Sequence, residues 1–179
     1  MIVYINEYKV GYKMKKFIKK GIIVGALGLM LLPSAASAHF LGYDSVDGKE
    51  IRWGTYHGTT KWTTARSAAI STWNGINPIN ILGDTSTTVE DLSFKDANRS
   101  DVTWAGLYSN LSGADRIQLN NYYLNGYTTA KRQNVFTHEL GHALGLAHSY
   151  SDQIMHKYVT SKTSLGSHDK SDYHSLWGY

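Results

Sequence analysis

Cysteine is absent from all 179 residues. No disulfide can staple this chain, and no cysteine is available to carry a lipid, which excludes a lipoprotein. Long apolar runs are missing too. The longest, "GIIVGALGLMLL", covers 12 residues from Gly21 to Leu32, whereas a membrane-spanning helix needs about 20. A basic excess is only nominal. Six of the 18 Lys and Arg lie before residue 39, but of the 14 Asp and Glu only Glu7 does. From His39 onward there are 12 basic and 13 acidic groups, a net charge of −1 with His neutral. A nucleic-acid partner would want a clustered basic face, and none is present. No internal repeat is evident.

What precedes residue 39 has the layout of an export signal. "MKKFIKK" from Met14 is basic, the apolar run follows, and "PSAASA" ends in small residues at Ala38. That pattern predicts a signal peptide over residues 1–38, with translation starting at Met14 and cleavage after Ala38. The product, His39–Tyr179, is expected to be secreted, to have no stable membrane association, and to be monomeric. It is long enough for one domain with its own core. Lacking disulfides, it could draw part of its constraint from a bound metal.

Along that domain, "EIRWGTY" (50–56) alternates like a strand. Trp62, Ala65, Ala69, Ile70 and Trp73 recur at helical spacing, with Thr60 as a cap and Asn74-Gly75 and Asn77-Pro78 as stops. Residues 79–82 read as a short strand and the polar stretch 83–101 as a loop. Strands are predicted at 102–108 and 116–124. A long helix, capped by Thr128 or Thr129, is expected to reach Leu146, and a last helix to cover 168–177. The order predicts an α+β fold, a mixed sheet with helices packed against it.

"THELGHALGLAHS" (137–149) carries the chemistry. It places three histidines and a glutamate in an apolar stretch, where unpaired polar groups cost free energy on burial. His138 and His142 lie four apart, so both leave one face of a helix, one turn apart. That spacing suits two imidazoles on one zinc, each at about 2.0–2.1 Å. Gly145 can take the left-handed conformation that ends the helix. His148 can then swing back as a third ligand, leaving the fourth position open as catalytic zinc requires. Zinc lowers the pKa of a bound water to about 7. Glu139, about 100° around the helix from His138, can take that water's proton and pass it to a leaving amine. With about 7% usage per residue type, chance supplies these five fixed positions in at most a few per ten thousand chains. A buried helix with incidental polar side chains is therefore a poor account of them.

"HELGHALGLAH" resembles the H-E-x-x-H-x-x-G-x-x-H signature of the metzincin metallopeptidases. That resemblance implies a metzincin-like twisted mixed sheet, a zinc-binding active-site helix, a methionine turn beneath the metal and a C-terminal helix. "DQIMHKY" looks like the turn, giving Met155 the role. Ser149 after the third histidine, and the tail "HDKSDYHSLWGY", are similar to the matrixin branch, in its small secreted form. Asp169 then falls where that family has an acidic residue supporting the site. "RIQLNN" is placed like the edge strand that binds substrate. Only 137–158 and the tail are specific matches. The resemblance implies a secreted zinc endopeptidase acting on protein or peptide substrates.

There are departures. Matrixin precursors usually block the zinc with a propeptide cysteine, and this chain has none. Only His39 and His57 precede the catalytic helix, so no structural zinc of the animal matrixin kind is expected. Asp84, Asp91, Asp96, Asp101 and Asp115 lie in or near predicted loops and could take Ca2+. No calcium-loop spacing is present, and a solvated acidic surface is the simpler account. His57, His168 and His174 read as surface residues. His156 and Tyr158 follow the turn, and Tyr158 could serve as an accessory group near an oxyanion. Two other functions compete with a general peptidase. One is a secreted, zinc-stabilised binding module using exposed tyrosines such as those of "NNYYLNGY". The other is a protease with one dedicated substrate.

Overall fold

The computed structural model describes residues 4–9 and 38–179. The expected signal segment, 14–38, lies outside these residues except for Ala38. The elements are β1 (Tyr4–Lys9), β2 (Glu50–Gly54), α1 (Thr63–Asn74), β3 (Asn80–Gly83), β4 (Leu92–Ala97), β5 (Trp104–Asn110), β6 (Asp115–Asn120), the single turn α2 (Asn121–Leu124), α3 (Thr129–Ala143) and α4 (Ser167–Trp177). Among the described residues, no helix is long and apolar enough to cross a membrane.

The strands form one sheet in the order β1-β5-β6-β4-β2-β3. The pairs β2 with β3, β2 with β4 and β4 with β6 are parallel, whereas β5 runs antiparallel to β6. The mixed sheet and α+β class agree with the sequence reading. Two elements correct it. Residues 83–101 are not all loop, because β4 occupies the interior of the sheet. Leu92, Ser93 and Phe94 are all buried there, and the alternation Leu92-Ser93-Phe94-Lys95 is too short to stand out from the polar stretch around it. Buried Ser93 keeps its hydroxyl satisfied by donating to the Asp115 carbonyl at 3.0 Å. Residues 116–124 are not an edge strand either. β6 is flanked by β5 and β4, and the chain turns into α2 after Asn120. The side chain of Asn120 caps that turn by accepting from the Tyr122 N–H.

The helices begin and end for local reasons. Thr128 caps α3 by accepting from the Lys131 N–H. Thr60 does not cap α1. It accepts from the Trp62 N–H, just ahead of the helix. At its far end α3 stops at Ala143, short of the expected Leu146. Gly145, at φ +88°, reverses the chain. Its N–H donates to the His142 carbonyl and the Leu146 N–H to the Gly141 carbonyl, both at 2.9 Å. This two-bond cap consumes carbonyls that would otherwise be orphaned.

The core joins the helices to the sheet. The Trp73 indole donates to the Thr137 carbonyl at 2.8 Å, locking α1 onto α3. Phe136 of α3 meets Phe94 of β4 with ring centroids 5.9 Å apart. Tyr173 of α4 stacks on Trp73 at 5.7 Å, and its hydroxyl accepts from the Ile79 N–H. Each of these aromatic rings is at most 1% exposed.

Candidate metal centre

The C-terminal part of α3 from Asn134 to Ala143 is buried, including His138, Glu139 and His142. The cap at Gly145 redirects the chain so that His148 returns to face them. Candidate ligand atoms of His138, His142 and His148 lie within 4.8 Å of one another. The Nε2 atoms of His138 and His142 are 3.0 Å apart. The sequence-predicted triad is thus assembled.

The second nitrogens of two of these rings are occupied by backbone carbonyls. His138 Nδ1 lies 2.7 Å from the Ile154 carbonyl and His142 Nδ1 lies 2.8 Å from that of Leu146. A carbonyl can only accept, so each Nδ1 carries the proton and each Nε2 presents a lone pair. This is the arrangement in which a second contact fixes a ligand's tautomer and ring orientation. The donor set therefore fits zinc, with three converging imidazoles, two of them at a spacing that bond lengths of about 2.0–2.1 Å allow.

Electrostatics favour the same protonation state. Burial, followed by repulsion from the neighbouring imidazoles, pushes His138 well below the usual histidine range. Burial and then His148 push His142 down to about 3. Both folded-state values lie below the unfolded value of about 6.5. As pH falls beneath that value, the unfolded chain binds protons that the folded chain does not. Stability present above pH 6.5 is then lost progressively, at about 1.4 kcal/mol per pH unit for each excess proton. Bound zinc sharpens the effect, because it also requires neutral rings. The melting temperature of the metal-stripped chain should fall between pH 6.5 and 5, and zinc content after dialysis should drop below about pH 6. Zinc retained unchanged at pH 4 would contradict ligation by three histidines.

Seven residues after His148, Met155 is 1% exposed. Its sulfur packs against Gly141, where an added Cβ would overlap it. The backbone of the turn is held by Asp169, itself fully buried at the start of α4. Asp169 accepts from the N–H groups of Ile154 at 2.7 Å, Met155 at 3.1 Å and Gly166 at 2.8 Å. It therefore acts one step from the site, fixing the residue whose carbonyl orients His138. Ser149 donates its backbone N–H to the Met155 carbonyl at 2.8 Å, closing the loop between third histidine and turn. Tyr158 is half-buried and edge-on to His156, with centroids 5.2 Å apart.

Sequence reasoning missed Gly106. A Cβ on this β5 residue would lie 2.7 Å from Cγ and 2.8 Å from Cδ of Glu139. The glutamate thus rests directly on the backbone of β5, at a place only glycine allows. Nothing marks that glycine in the sequence, since the contact joins residues far apart in the chain. The orienting carbonyls of Ile154 and Leu146 were likewise invisible, being backbone groups.

One expectation changes. His168 is not a simple surface residue. Its side chain is 11% exposed and contacts Asp172 and His39. The five aspartates considered for calcium are already engaged by protein donors. Asp84 accepts from Thr88, Asp91 from the Arg52 N–H, Asp96 from the Lys61 N–H and Asp101 from Arg99. Asp115 is buried at the start of β6 and accepts from Ser45, Tyr108 and the Leu111 N–H.

Comparison with known proteins places this geometry. No curated protein sequence matches the chain. Many solved structures are similar, 97 chains among them. One is described as the structure of myroilysin. It shares 13% sequence identity, covers 80% of this chain and 99% of its own, and superposes with a TM-score of 0.56. At that identity the likeness speaks for the fold. The matrixin family model matches residues 54–178, from the end of β2 to the end of α4. With its histidine triad inside that span, the chain belongs to the matrixin family of zinc metallopeptidases.

Proposed function

We propose that His39–Tyr179 is an exported endopeptidase domain in which His138, His142 and His148 hold a catalytic zinc and Glu139 is the general base. One observation carries the reading. Two neighbouring imidazoles have their Nδ1 protons committed to backbone carbonyls, so their Nε2 lone pairs converge, 3.0 Å apart, on the helix that also carries Glu139. Bound zinc would polarise the scissile carbonyl and acidify the attacking water. Glu139, wedged against Gly106, would accept the water's proton and deliver it to the departing amine. Gly145, Met155, Ser149 and Asp169 support the site, with Tyr158 as an accessory candidate.

An extended peptide would add to the outer edge of β5 rather than to β6, whose two edges are both paired. β5 also carries Gly106, so a peptide there runs past Glu139. In the full chain β1 occupies that edge, parallel to β5. A chain that starts at Met14, or one cleaved after Ala38, lacks β1 and leaves that edge open.

A mixed peptide library read by mass spectrometry tests the proposal. The zinc-loaded protein should cleave internal bonds in many peptides, stop on chelation and resume with added Zn2+. No cleavage by a protein holding its zinc would defeat the general-peptidase reading and leave a dedicated substrate.

A further inference from the structure

A second cluster of metal-binding side chains lies away from the catalytic histidines. His168 and Asp172 sit four residues apart on α4 and meet His39 from the start of the domain. His39 Nδ1 is 3.1 Å from His168 Nε2 and 3.5 Å from Asp172 Oδ2, and His168 Nε2 is 3.2 Å from that same oxygen. Ligands on a tetrahedral metal at about 2.0–2.1 Å are roughly 3.3 Å apart. All three edges of this triangle match that spacing. Asp172 is 4% exposed. The Tyr150 ring packs against both histidines, its centroid 4.7 Å from His168 and 5.3 Å from His39.

We propose that His39, His168 and Asp172 form a second metal site, for a divalent nitrogen-preferring transition ion such as Zn2+ or Cu2+. Two imidazoles and one carboxylate select that class over Ca2+ and Mg2+, which take oxygen ligands. A fourth donor is at hand. The main-chain nitrogen of His39 lies 3.4 Å from Asp172 Oδ2. In the uncut chain it is a peptide N–H with no lone pair to give. Cleavage after Ala38, as the signal pattern predicts, makes it an amine. Amine and Nδ1 of one histidine then close a six-membered chelate ring on the metal.

The site has a structural consequence. The His39 carbonyl accepts from the Ala147 N–H at 2.9 Å, and the Leu41 N–H donates to the Gly145 carbonyl at 2.9 Å. Residues 39–41 therefore brace the turn that brings His148 to the catalytic centre. A metal on His39 would pin that brace to α4.

The test uses the full chain, with its N-terminus read by intact mass. After stripping with a chelator, it is dialysed against Zn2+ alone or Cu2+ alone, and metal per chain is counted. The expected result is two equivalents, falling to one in both His168→Gln and Asp172→Asn. The Cu2+ form should show nitrogen hyperfine coupling from this site in a His138→Gln/His142→Gln variant, lost on adding His168→Gln. Circular dichroism checks folding, and where the double variant does not fold the metal counts alone decide. One equivalent or fewer in the parent chain with both metals, or two retained in folded His168→Gln, would overturn the site in favour of a plain hydrogen-bonded ion pair.

Discussion

Glu139→Gln is expected to keep the fold and one catalytic zinc while losing turnover by about 10²–10⁴-fold, the usual worth of a positioned general base. The side chain is fully buried on α3. Glutamine keeps its volume and polarity, so packing against Gly106 survives and only the proton acceptor is lost. The loss should fall on kcat, with KM little changed, because the group acts in the transition state rather than in binding. Glu139→Ala should be as inactive. Gly106→Ala supplies the complementary evidence from the other side of the contact. Its methyl group would enter the space of Glu139 Cγ and Cδ, and the carboxylate would have to move. Misplacement by about 1 Å can cost on the order of 10²-fold. Zinc content should stay at one catalytic equivalent in both variants. Full turnover in folded, zinc-loaded Glu139→Gln would remove this residue from the mechanism.

How much of this was legible beforehand depends on where each interaction resides. The histidine triad and Glu139 could be read because their spacing is a property of one helix and its cap, all within a dozen residues. Gly145 could be read for the same reason, and its φ of +88° matches the role. The central strand β4 could not. Its alternation of Leu92 and Phe94 with Ser93 and Lys95 spans only four residues inside a polar stretch, and Ser93 gives no sign in the sequence that its own face is buried. The edge strand was misassigned because strand order is a long-range outcome. "RIQLNN" has the better pattern, yet it lies between β5 and β4, with β5 on the side toward β1. Asp169 was found only through family likeness, since its partners are three backbone N–H groups that no side-chain pattern records. His168 looked like a surface residue because the start of the domain, which covers it, is distant in sequence.

Asp169→Ala is the substitution expected to damage the protein most. Its carboxylate is buried and accepts three backbone N–H groups, from Ile154, Met155 and Gly166. Alanine would leave all three without that acceptor, and each buried, unsatisfied group costs about 1–3 kcal/mol. A combined loss of at least about 3 kcal/mol is a large share of the 5–15 kcal/mol typical of a domain. It corresponds to a fall of roughly 10 °C in melting temperature for a chain of this size. Asparagine should be intermediate. It can still present one oxygen to the pair of donors at Oδ2, but it sets an NH2 group against the Met155 N–H or the reverse. The damage should also reach the metal. Ile154 offers its carbonyl to His138 Nδ1 and its N–H to Asp169, so a loosened turn frees the ring to rotate. Zinc affinity should drop about 10- to 100-fold, the usual effect of losing a contact that orients a ligand. Thermal melts with and without zinc separate the two effects. A stability loss of similar size in both forms, with unchanged zinc affinity, would mean that Asp169 serves the fold alone and that His138 is held by other means.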